Sequence, residues 1–497
     1  MKLHPFLWPK LGAVFAGAML LASCGGSAAI SSPSSGAASV TVSIAASAKP
    51  SVSAAVSAPA STAATTSTSA ATSAAATTST AASTSVAAAG STAASGAATA
   101  SGAATGSGAA TGTPIKVGVL NDISGPGSIE GAEQKINTDL AIAQINASGG
   151  VNGHPLVGDF VDSKGDAATA VQLANQLANQ DKVDVLVGGV YSAECLGVEQ
   201  QVNNYGIAYL PLNACANEQL TSQTCNKLVF RVFPVGGQTL KPPLGYVVKT
   251  YGAKWAIITT QNPFGDSQIA ATDAAMKDIN GQVTVKIQVP VGEANVTPYV
   301  TKIPTDGSVN GVLNDENGTD LARVVQVMAQ FGVNKLPQLM FLGAESFGGV
   351  YPDSVNGAIL GRLTLNNPPA GPAADYLKAF KDQVGKEGQV ANVLGGNKAI
   401  PGDLGYESYA TMMALKEAMK TANFTGRADT DKLVTALEGI NVPQATPDFP
   451  YGGMIMNKAD HQGATGMFMV KVNGQDEQVL QSIPANQIPP IGSCQVK

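Results

Sequence analysis

Histidine is scarce in this sequence, and basic residues form no cluster. The 497 residues include three histidines, His4, His154 and His461, and the formal net charge is −6. With His4 in the N-terminal leader, a catalytic or metal-binding group built on histidine is close to excluded. A mildly acidic chain without a Lys/Arg cluster has no electrostatic footprint for nucleic acid. The nucleophile-elbow and P-loop patterns are absent as well, so we expect neither an enzyme nor a cofactor.

Aromatic and charged residues are nearly missing from residues 25–113. This segment consists almost entirely of Ala, Ser, Thr and Gly, has no aromatic residue and carries one charge, Lys49. Such a composition cannot bury enough apolar surface to offset the conformational entropy of the chain. We therefore expect a disordered tether that spans roughly 50 Å as a flexible coil. A glycosylated stalk is the alternative.

Residues 1–24 have the pattern of an export signal. Residues 11–21 form an apolar run that is too short to span a membrane as a helix. The run ends in Leu21-Ala22-Ser23-Cys24, which resembles the bacterial lipobox. This resemblance implies cleavage before Cys24 and attachment of lipid to its sulfur, which would anchor an extracytoplasmic protein to the cell membrane. An ordinary secretory leader with an incidental cysteine is the alternative.

Residues 114–497 alternate short apolar runs with amphipathic segments. Continuous runs rich in β-branched residues, such as 115–120 and 255–259, are typical of strands in a buried, mostly parallel sheet. Two successive sets of strand–helix units predict an α/β protein with two lobes. We expect lobe I at 114–236 and lobe II at 237–362. The chain should then return to lobe I over 363–450 and complete lobe II over 451–497.

The loops that follow the predicted strands are the expected place for a ligand. In open parallel sheets, ligands bind outside the carboxyl ends of the strands, where helix N-termini offer free N–H groups suited to a carboxylate. Polar or glycine-rich loops follow strands at residues 121–128, 188–193, 212–217, 314–317 and 343–346.

The order of these loops resembles the type I periplasmic solute-binding proteins of ABC transporters, in the leucine/isoleucine/valine-binding family. The resemblance rests on residues 118–127, 145–153 (INASGGVNG) and 205–207, on Phe230-Arg231, and on Phe341-Leu342-Gly343-Ala344-Glu345. It covers residues 114 to about 472. It implies two Rossmann-like lobes joined by three hinge strands, which close around the ligand.

In amino-acid binders of this family, a serine hydroxyl and backbone amides of the first lobe hold the ligand carboxylate. The serine position corresponds to Ser192, and the amide position falls near Asn213, Ala214 or Ala216. From the residues alone, Ser192 is equally suited to cap a helix. Tyr191 is either a core residue or part of the cleft wall.

The second lobe should supply an acidic residue that pairs with the ligand ammonium, and this position corresponds to Glu345. A family tyrosine that helps to hold the ammonium falls on Asn317, which favours a more polar solute or an amide. Asn317 is alternatively a turn residue before Gly318. Asp315 and Glu316 are expected to be solvated or hinge residues, although one of them could replace the tyrosine.

The first loop contributes Ser124 and Ser128, either as a ligand contact or as caps of the first helix. Four cysteines follow Cys24, and an even number in an exported chain predicts two disulfides. Of the three possible connectivities, the short loop Cys215–Cys225 is preferred, with Cys195 and Cys494 remaining. A metal site or a catalytic cysteine is disfavoured because no histidine lies near in sequence.

Together these features predict a lipid-anchored binding protein that delivers a small polar solute, such as an amino acid or an amide, to an ABC permease in the membrane. A surface sensor that uses the same clamp is the alternative. Nothing in the sequence separates the two.

Overall fold

The computed structural model describes residues 110–212, 215, 219–490 and 495–496. The strands in these residues are β1 (Ile115–Asn121), β2 (Leu156–Asp162), β3 (Val185–Gly188), β4 (Tyr209–Pro211), β5 (Lys254–Thr260), β6 (Gln282–Val289), β7 (Gly311–Asp315), β8 (Gln338–Met340), β9 (Ile359–Arg362), β10 (Asn441–Val442), β11 (Met454–Asn457), β12 (Gln462–Thr465), β13 (Met467–Asn473) and β14 (Asp476–Ile483). Cys24, the predicted tether, Asn213, Ala214, Ala216 and Cys494 lie outside the described residues.

The α-helices are α1 (Ser128–Ala147), α2 (Ala167–Asn179), α3 (Ser192–Glu199), α4 (Val202–Tyr205), α5 (Gly236–Thr239), α6 (Lys241–Tyr251), α7 (Pro263–Asp278), α8 (Thr297–Val300), α9 (Gly318–Gln330), α10 (Pro372–Val384), α11 (Gln389–Val393), α12 (Asp403–Ala422) and α13 (Thr430–Glu438). Local chemistry sets several of their starts. The Asp166 carboxylate accepts a hydrogen bond from Thr169 N at α2, and the Asn262 side chain accepts one from Gly265 N at α7.

Two sheets with the expected parallel strands form the centres of the two lobes. The lobe I sheet has the order β2-β1-β3-β4, and all of its strands are parallel. The lobe II sheet has the order β14-β13-β9-β8-β7-β5-β6, in which β5 to β9 are parallel, β13 is antiparallel to β9, and β14 is antiparallel to β13. The α/β class predicted from the alternating pattern is confirmed.

Three segments connect the lobes, between β4 and α5, between β9 and α10, and between β12 and β13. The first segment is hydrogen-bonded to the residues that lead into the third, because Arg231 N donates to the His461 carbonyl (3.0 Å) and Gly463 N, in β12, donates to the Arg231 carbonyl (2.6 Å). The return to lobe II was predicted at 451, but β13 begins at Met467. The intervening β11 and β12 pair with each other and with β10 in a separate small sheet. Apolar periodicity marks these strands but does not specify which sheet they join.

Helix α12 is the longest element of the return to lobe I. It packs against α1 and α13, and its first turn faces the carboxyl end of β9, where the Asp403 carboxylate accepts a hydrogen bond from Thr364 N (3.0 Å). This contact places the N-terminus of a lobe I helix beside the strand ends of lobe II.

The structure corrects the preferred disulfide, because Cys215 is joined to Cys195 and not to Cys225. The two bonded residues have Cα atoms 6.0 Å apart. Strands β3 and β4 are parallel neighbours, so the loops after their carboxyl ends adjoin, which brings Cys195 to Cys215. Cys225 lies beyond the short π-helix Gln219–Gln223, with its sulfur 3.1 Å from the Thr221 carbonyl. Sequence distance was therefore a poor guide to this pairing.

Two smaller features complete the fold. The helical segment after β3 is divided into α3 and α4 around Gln200 and Gln201. In the part of the chain that the structure describes, no helix is long and apolar enough to cross a membrane.

Candidate functional site

A cavity of about 100 Å³ lies at the carboxyl ends of β7, β8 and β9, under the first turns of α12. Its polar wall consists of Gln268, Asp315, Glu316, Asn317, Asp403 and Glu407. Its apolar wall includes Phe264, Phe341, Leu342, Leu363, Leu404 and Met467. The strand ends belong to lobe II and α12 belongs to lobe I, so the cavity lies between the lobes, at the edge where open parallel sheets bind ligands.

Asp315 and Glu316 form the acidic end of β7. Because β7 is hydrogen-bonded between β5 and β8, its carboxyl end is enclosed, and the two residues are 5% and 2% exposed. Both were expected to be solvated or at a hinge, and the solvated interpretation is wrong. Burial raises the pKa of Asp315 to about 7, although a hydrogen bond from the Gln268 side chain opposes this. Burial, Asp320 and Asp315 together raise the pKa of Glu316 well above its usual range.

Asp403 and Glu407 lie four residues apart on α12, so both side chains point to the same face of the helix. The Thr364 hydroxyl donates to Asp403 Oδ1 at 2.8 Å, and an Arg362 nitrogen lies 3.7 Å from the same oxygen. Burial raises the pKa of Asp403 to about 7, and Arg362 opposes that shift. Burial and Asp403 raise the pKa of Glu407 well above its usual range.

Arg362 is a fully buried cation at the end of β9. Its guanidinium donates to both carboxylate oxygens of Glu345, at 2.7 and 3.1 Å, and to the Thr364 hydroxyl at 3.1 Å. Its Nε lies 3.5 Å from Glu477 of β14. One buried arginine is therefore bracketed by three carboxylates from separate segments, those of Glu345, Asp403 and Glu477.

Glu345, the predicted partner of a ligand ammonium, is engaged inside the protein. Besides the two bonds from Arg362, its Oε1 accepts a hydrogen bond from Gly343 N at 2.7 Å, and the residue is 3% exposed. A ligand cation at Glu345 would have to compete with a bidentate guanidinium, which is the strongest geometry for a carboxylate. The ligand role of Glu345 stays a prediction.

The loops of lobe I use their backbone donors internally. After β3, the Glu194 carboxylate accepts hydrogen bonds from Val190 N (3.0 Å) and Tyr191 N (2.9 Å). After β1, the Asp122 carboxylate accepts bonds from Gly125 N (2.7 Å) and Gly127 N (2.9 Å). These N–H groups are of the kind that was expected to hold a ligand carboxylate, and the protein's own acidic side chains already bind them.

The other predicted lobe I residues lie around these loops. Ser192 is buried in the first position of α3, and Tyr191 precedes it as the N-cap residue. Ser124 is exposed, and its hydroxyl donates to Asp162 at 2.5 Å. Of the predicted site residues in the described part of the chain, Asn317 lines the cavity, whereas Ser124, Tyr191, Ser192 and Glu345 are not among its lining residues.

A carboxylate of lobe I also meets a helix N-terminus of lobe II. Glu130 of α1 faces Gly318, the first residue of α9, and a Cβ on Gly318 would lie 3.0 Å from Glu130 Oε1. Gly318 has φ +54°, so a side chain there would be strained as well as crowded. Burial raises the pKa of Glu130 to about 7, although the Gly318 N–H opposes the shift. This contact joins the lobes at a second place, away from the connecting segments.

Sequence reasoning missed the roles of Arg362, Asp403 and Glu407. A signal existed, since Asp403 and Glu407 stand four residues apart and are the only charged residues in the first thirteen positions of α12, and Arg362 ends an apolar run. None of these patterns specifies which partners meet. Among the described residues, no group of three or more His, Cys, Asp or Glu is arranged to hold a metal ion.

Known proteins resemble the folded part of this chain. A family model described as periplasmic binding protein matches residues 114–478. The leucine-, isoleucine-, valine-, threonine-, and alanine-binding protein of Pseudomonas aeruginosa is 25% identical over 65% of this chain and 82% of its own length.

Solved structures share the fold at lower identity. An ABC transporter substrate-binding protein from Sphaerobacter thermophilus is 21% identical with a TM-score of 0.64, covering 76% of this chain and 99% of that protein. A solute binding protein of an ABC transporter from R. palustris, solved in complex with 4-hydroxybenzoate, is 16% identical with a TM-score of 0.63, covering 76% and 98%. The likeness therefore extends over nearly the whole of both solved proteins.

Proposed function

Because the chain belongs to the type I periplasmic binding proteins of the Leu/Ile/Val-binding family, we propose that it is the extracytoplasmic solute-binding lipoprotein of an ABC transporter. It captures a small polar solute between the lobes and delivers it to a membrane permease. The observation that carries this proposal is the cavity between the strand ends of lobe II and the first turns of α12.

The connecting segments support a hinge. Motion between the lobes must pass through three segments, and Arg231 of the first is hydrogen-bonded to His461 and to Gly463 of β12, which leads into the third. Short connections of this kind absorb a change of backbone angle while each lobe keeps its own sheet. Opening would separate Glu130 from Gly318 and uncover the cavity, and a ligand that contacts both lobes favours the closed arrangement.

The lining of the cavity is suited to binding a solute without converting it into a product. The acidic residues are buried and face an apolar wall, and the relatives named above are solute-binding proteins. We infer that the protein returns its ligand unchanged and requires no cofactor.

Attachment to the membrane rests on the leader. The Leu21-Ala22-Ser23-Cys24 sequence supports lipidation of Cys24, and residues 25–113 would let the folded part reach away from the membrane. We expect Cys24→Ser to release the protein from the membrane fraction, in which the wild-type protein is retained. Release of the wild-type protein into the medium would contradict the anchor.

Ligand-linked stabilisation tests the binding role. Thermal unfolding of the purified protein is followed with amino acids, amides, urea and small carboxylates. A solute that binds the folded state alone adds about 2.7 kcal/mol of stability at 100 times its dissociation constant. Small-angle scattering with that solute should show a smaller radius of gyration, because the hinge closes. Conversion of the solute into a product would refute the proposal, as would binding without any change in shape.

A further inference from the structure

The Asp315–Glu316 pair points to the charge of the ligand. We propose that the solute carries an organic cation, an ammonium or guanidinium group, which binds Asp315 and Glu316 at the end of β7 rather than Glu345. This inference rests on the proposed solute-binding function and specifies the class of solute.

The first argument is that these carboxylates lack partners. Among the described residues, neither Glu316 oxygen nor Asp315 Oδ2 has a hydrogen-bond partner, although the two residues are 2% and 5% exposed. Buried polar atoms are nearly always hydrogen-bonded, and a buried carboxylate without a partner is especially costly. Both residues line the cavity, so a ligand there can supply the missing donors.

The second argument is the lack of a compensating cation. No ion pair in the described part of the chain includes Asp315 or Glu316, and the nearby Arg362 is shared among Glu345, Asp403 and Glu477. Asp320 beside Glu316 is acidic as well, and the neighbouring cation Arg323 is paired with the Asp320 carboxylate. Two adjacent buried acids without a counterion attract a positive group and repel a carboxylate.

A metal ion is a poorer occupant than an organic cation. The carboxylates near the cavity do not converge into a group of three or more potential ligands within the described residues. The cavity lining also includes the apolar side chains of Phe264, Phe341 and Met467. Aromatic faces attract organic cations, and the apolar wall suits a hydrocarbon body.

The volume of the cavity restricts the size of the cationic group that can bind. The cavity volume is about 100 Å³, whereas an apolar cavity of roughly 150 Å³ can hold benzene. The enclosed part of the solute is therefore a small headgroup, of the order of a methylguanidinium or a short alkylammonium ion. Any larger portion must extend through the mouth of the cavity.

Methylguanidinium and methylurea provide the test, because they have similar shape and differ in charge. Binding to the purified protein is measured by calorimetry and thermal shift, with sodium chloride added to the methylurea samples to equalise ionic strength. We expect methylguanidinium to bind at least tenfold more tightly than methylurea and to raise the unfolding temperature. Equal binding of the two compounds, or tighter binding of methylurea or acetate, overturns the cationic assignment but leaves a solute-binding function intact.

The location is tested by Glu316→Gln, which keeps the shape of the side chain and removes its charge. We expect at least a tenfold loss of methylguanidinium affinity. The matched control is Glu417→Gln, near the far end of α12, where the side chain is 43% exposed and where we expect no change. Circular dichroism establishes that both variants fold. Unchanged affinity in a folded Glu316→Gln protein assigns the cation to another place and overturns the inference. Failure of methylguanidinium to bind wild type also overturns it, while the wider solute panel decides the proposed function separately.

Discussion

Acidic residues follow strands in both lobes, but their partners differ. In lobe I, Asp122 and Glu194 each accept two hydrogen bonds from N–H groups of their own loops. In lobe II, Asp315 and Glu316 are equally buried, yet three of their four oxygens have no partner among the described residues. Acidic side chains therefore bond their own loops in lobe I, where Glu194 Oε1 is the one oxygen of Asp122 and Glu194 without a partner among the described residues, and we propose that they bind a solute in lobe II.

A third arrangement lies between these two. Glu345 and Asp403 are buried like Asp315, but Arg362 supplies a positive charge to both of them. Arg362 thus supplies the positive charge that pairs with Glu345, and we propose that a cationic ligand pairs with Glu316 in the same way. Buried acids of this protein are therefore of three kinds. Some accept hydrogen bonds from backbone N–H groups, some are paired with Arg362, and we propose that Asp315 and Glu316 bind a solute.

We expect the largest change in the free energy of unfolding from Arg362→Met. Removing the guanidinium leaves the carboxylates of Glu345, Asp403 and Glu477 buried without their cation, which typically costs about 3–5 kcal/mol. Urea unfolding of the purified protein measures the change, and Lys378→Met, with its side chain 77% exposed, is the control with little expected effect. A loss below about 1 kcal/mol would show that these acids, like the Asp315–Glu316 pair, do not depend on an internal cation.

Loss of the Cys195–Cys215 disulfide should come next. The bond joins the loops after β3 and β4 across a sequence separation of 20, and a cross-link of that length is worth about 3 kcal/mol. The Cys195→Ser, Cys215→Ser double variant is compared with wild type by urea unfolding. Peptide mapping without reduction should recover these two cysteines in one linked peptide. A peptide linking Cys215 to Cys225 would contradict the structure.

Glu194→Ala tests the backbone-bonded acids. The buried Val190 and Tyr191 N–H groups lose their acceptor, so we expect a loss of about 2 kcal/mol. Glu316→Gln should have the opposite sign, because it removes a buried carboxyl group whose ionised form burial disfavours, and it removes no hydrogen bond to the chain. The urea concentration at the unfolding midpoint, measured for both variants without added solute, should fall for Glu194→Ala and rise for Glu316→Gln. Destabilisation of similar size in both would remove the distinction between the lobes.

We expect the smallest effect from pH, which changes the stability of the folded state through the ionisation of single buried acids. Burial raises the pKa of Asp315 and Glu130 to about 7, and of Asp122 to about 6, from ordinary values of 3.8, 4.5 and 3.8. The folded state then binds more protons than the unfolded state between about pH 4 and 7, so stability falls as pH rises through that window. The limit for each group is about 1.4 kcal/mol per pH unit.

Thermal unfolding between pH 5 and 8 in buffers of equal ionic strength measures this slope. Asp315→Asn should make it shallower, and Asp353→Asn, an exposed aspartate, should not. A stability that rises with pH would contradict the assigned direction. A bound cation should reverse part of the loss at high pH, because it favours the ionised carboxylates.

Much of the fold could be predicted from local pattern. The apolar run at β1 and the amphipathic repeat of α9, with Leu321, Val324, Val325 and Met328 buried, are readable from sequence because one face of each element must leave water. Strand β14 was missed, since most of its residues are exposed or half-buried and it adds to the edge of a finished sheet.

The candidate site was less predictable. Asn317 lines the cavity, and its contact with a ligand stays a prediction. Asp315 and Glu316 were expected to be solvated or hinge residues, because a run of polar residues after a strand ordinarily lies in water, but both are buried. The burial of this turn depends on α12, which returns from far along the chain. Likewise, the partners of Glu345 are set by the β8–β9 neighbourhood and not by its own loop.

The amino-acid sequence by itself determined the alternation of strands and helices, the α/β class and the export pattern, because each depends on hydrophobicity and chain entropy over short spans. The tertiary structure alone decided which carboxylates accept hydrogen bonds from the backbone and which are paired with Arg362. It also decided which carboxylate oxygens have no partner among the described residues. It also decided that Cys215 joins Cys195. Such pairings depend on distances between residues remote in sequence, and those distances exist only after the sheets and α12 have packed.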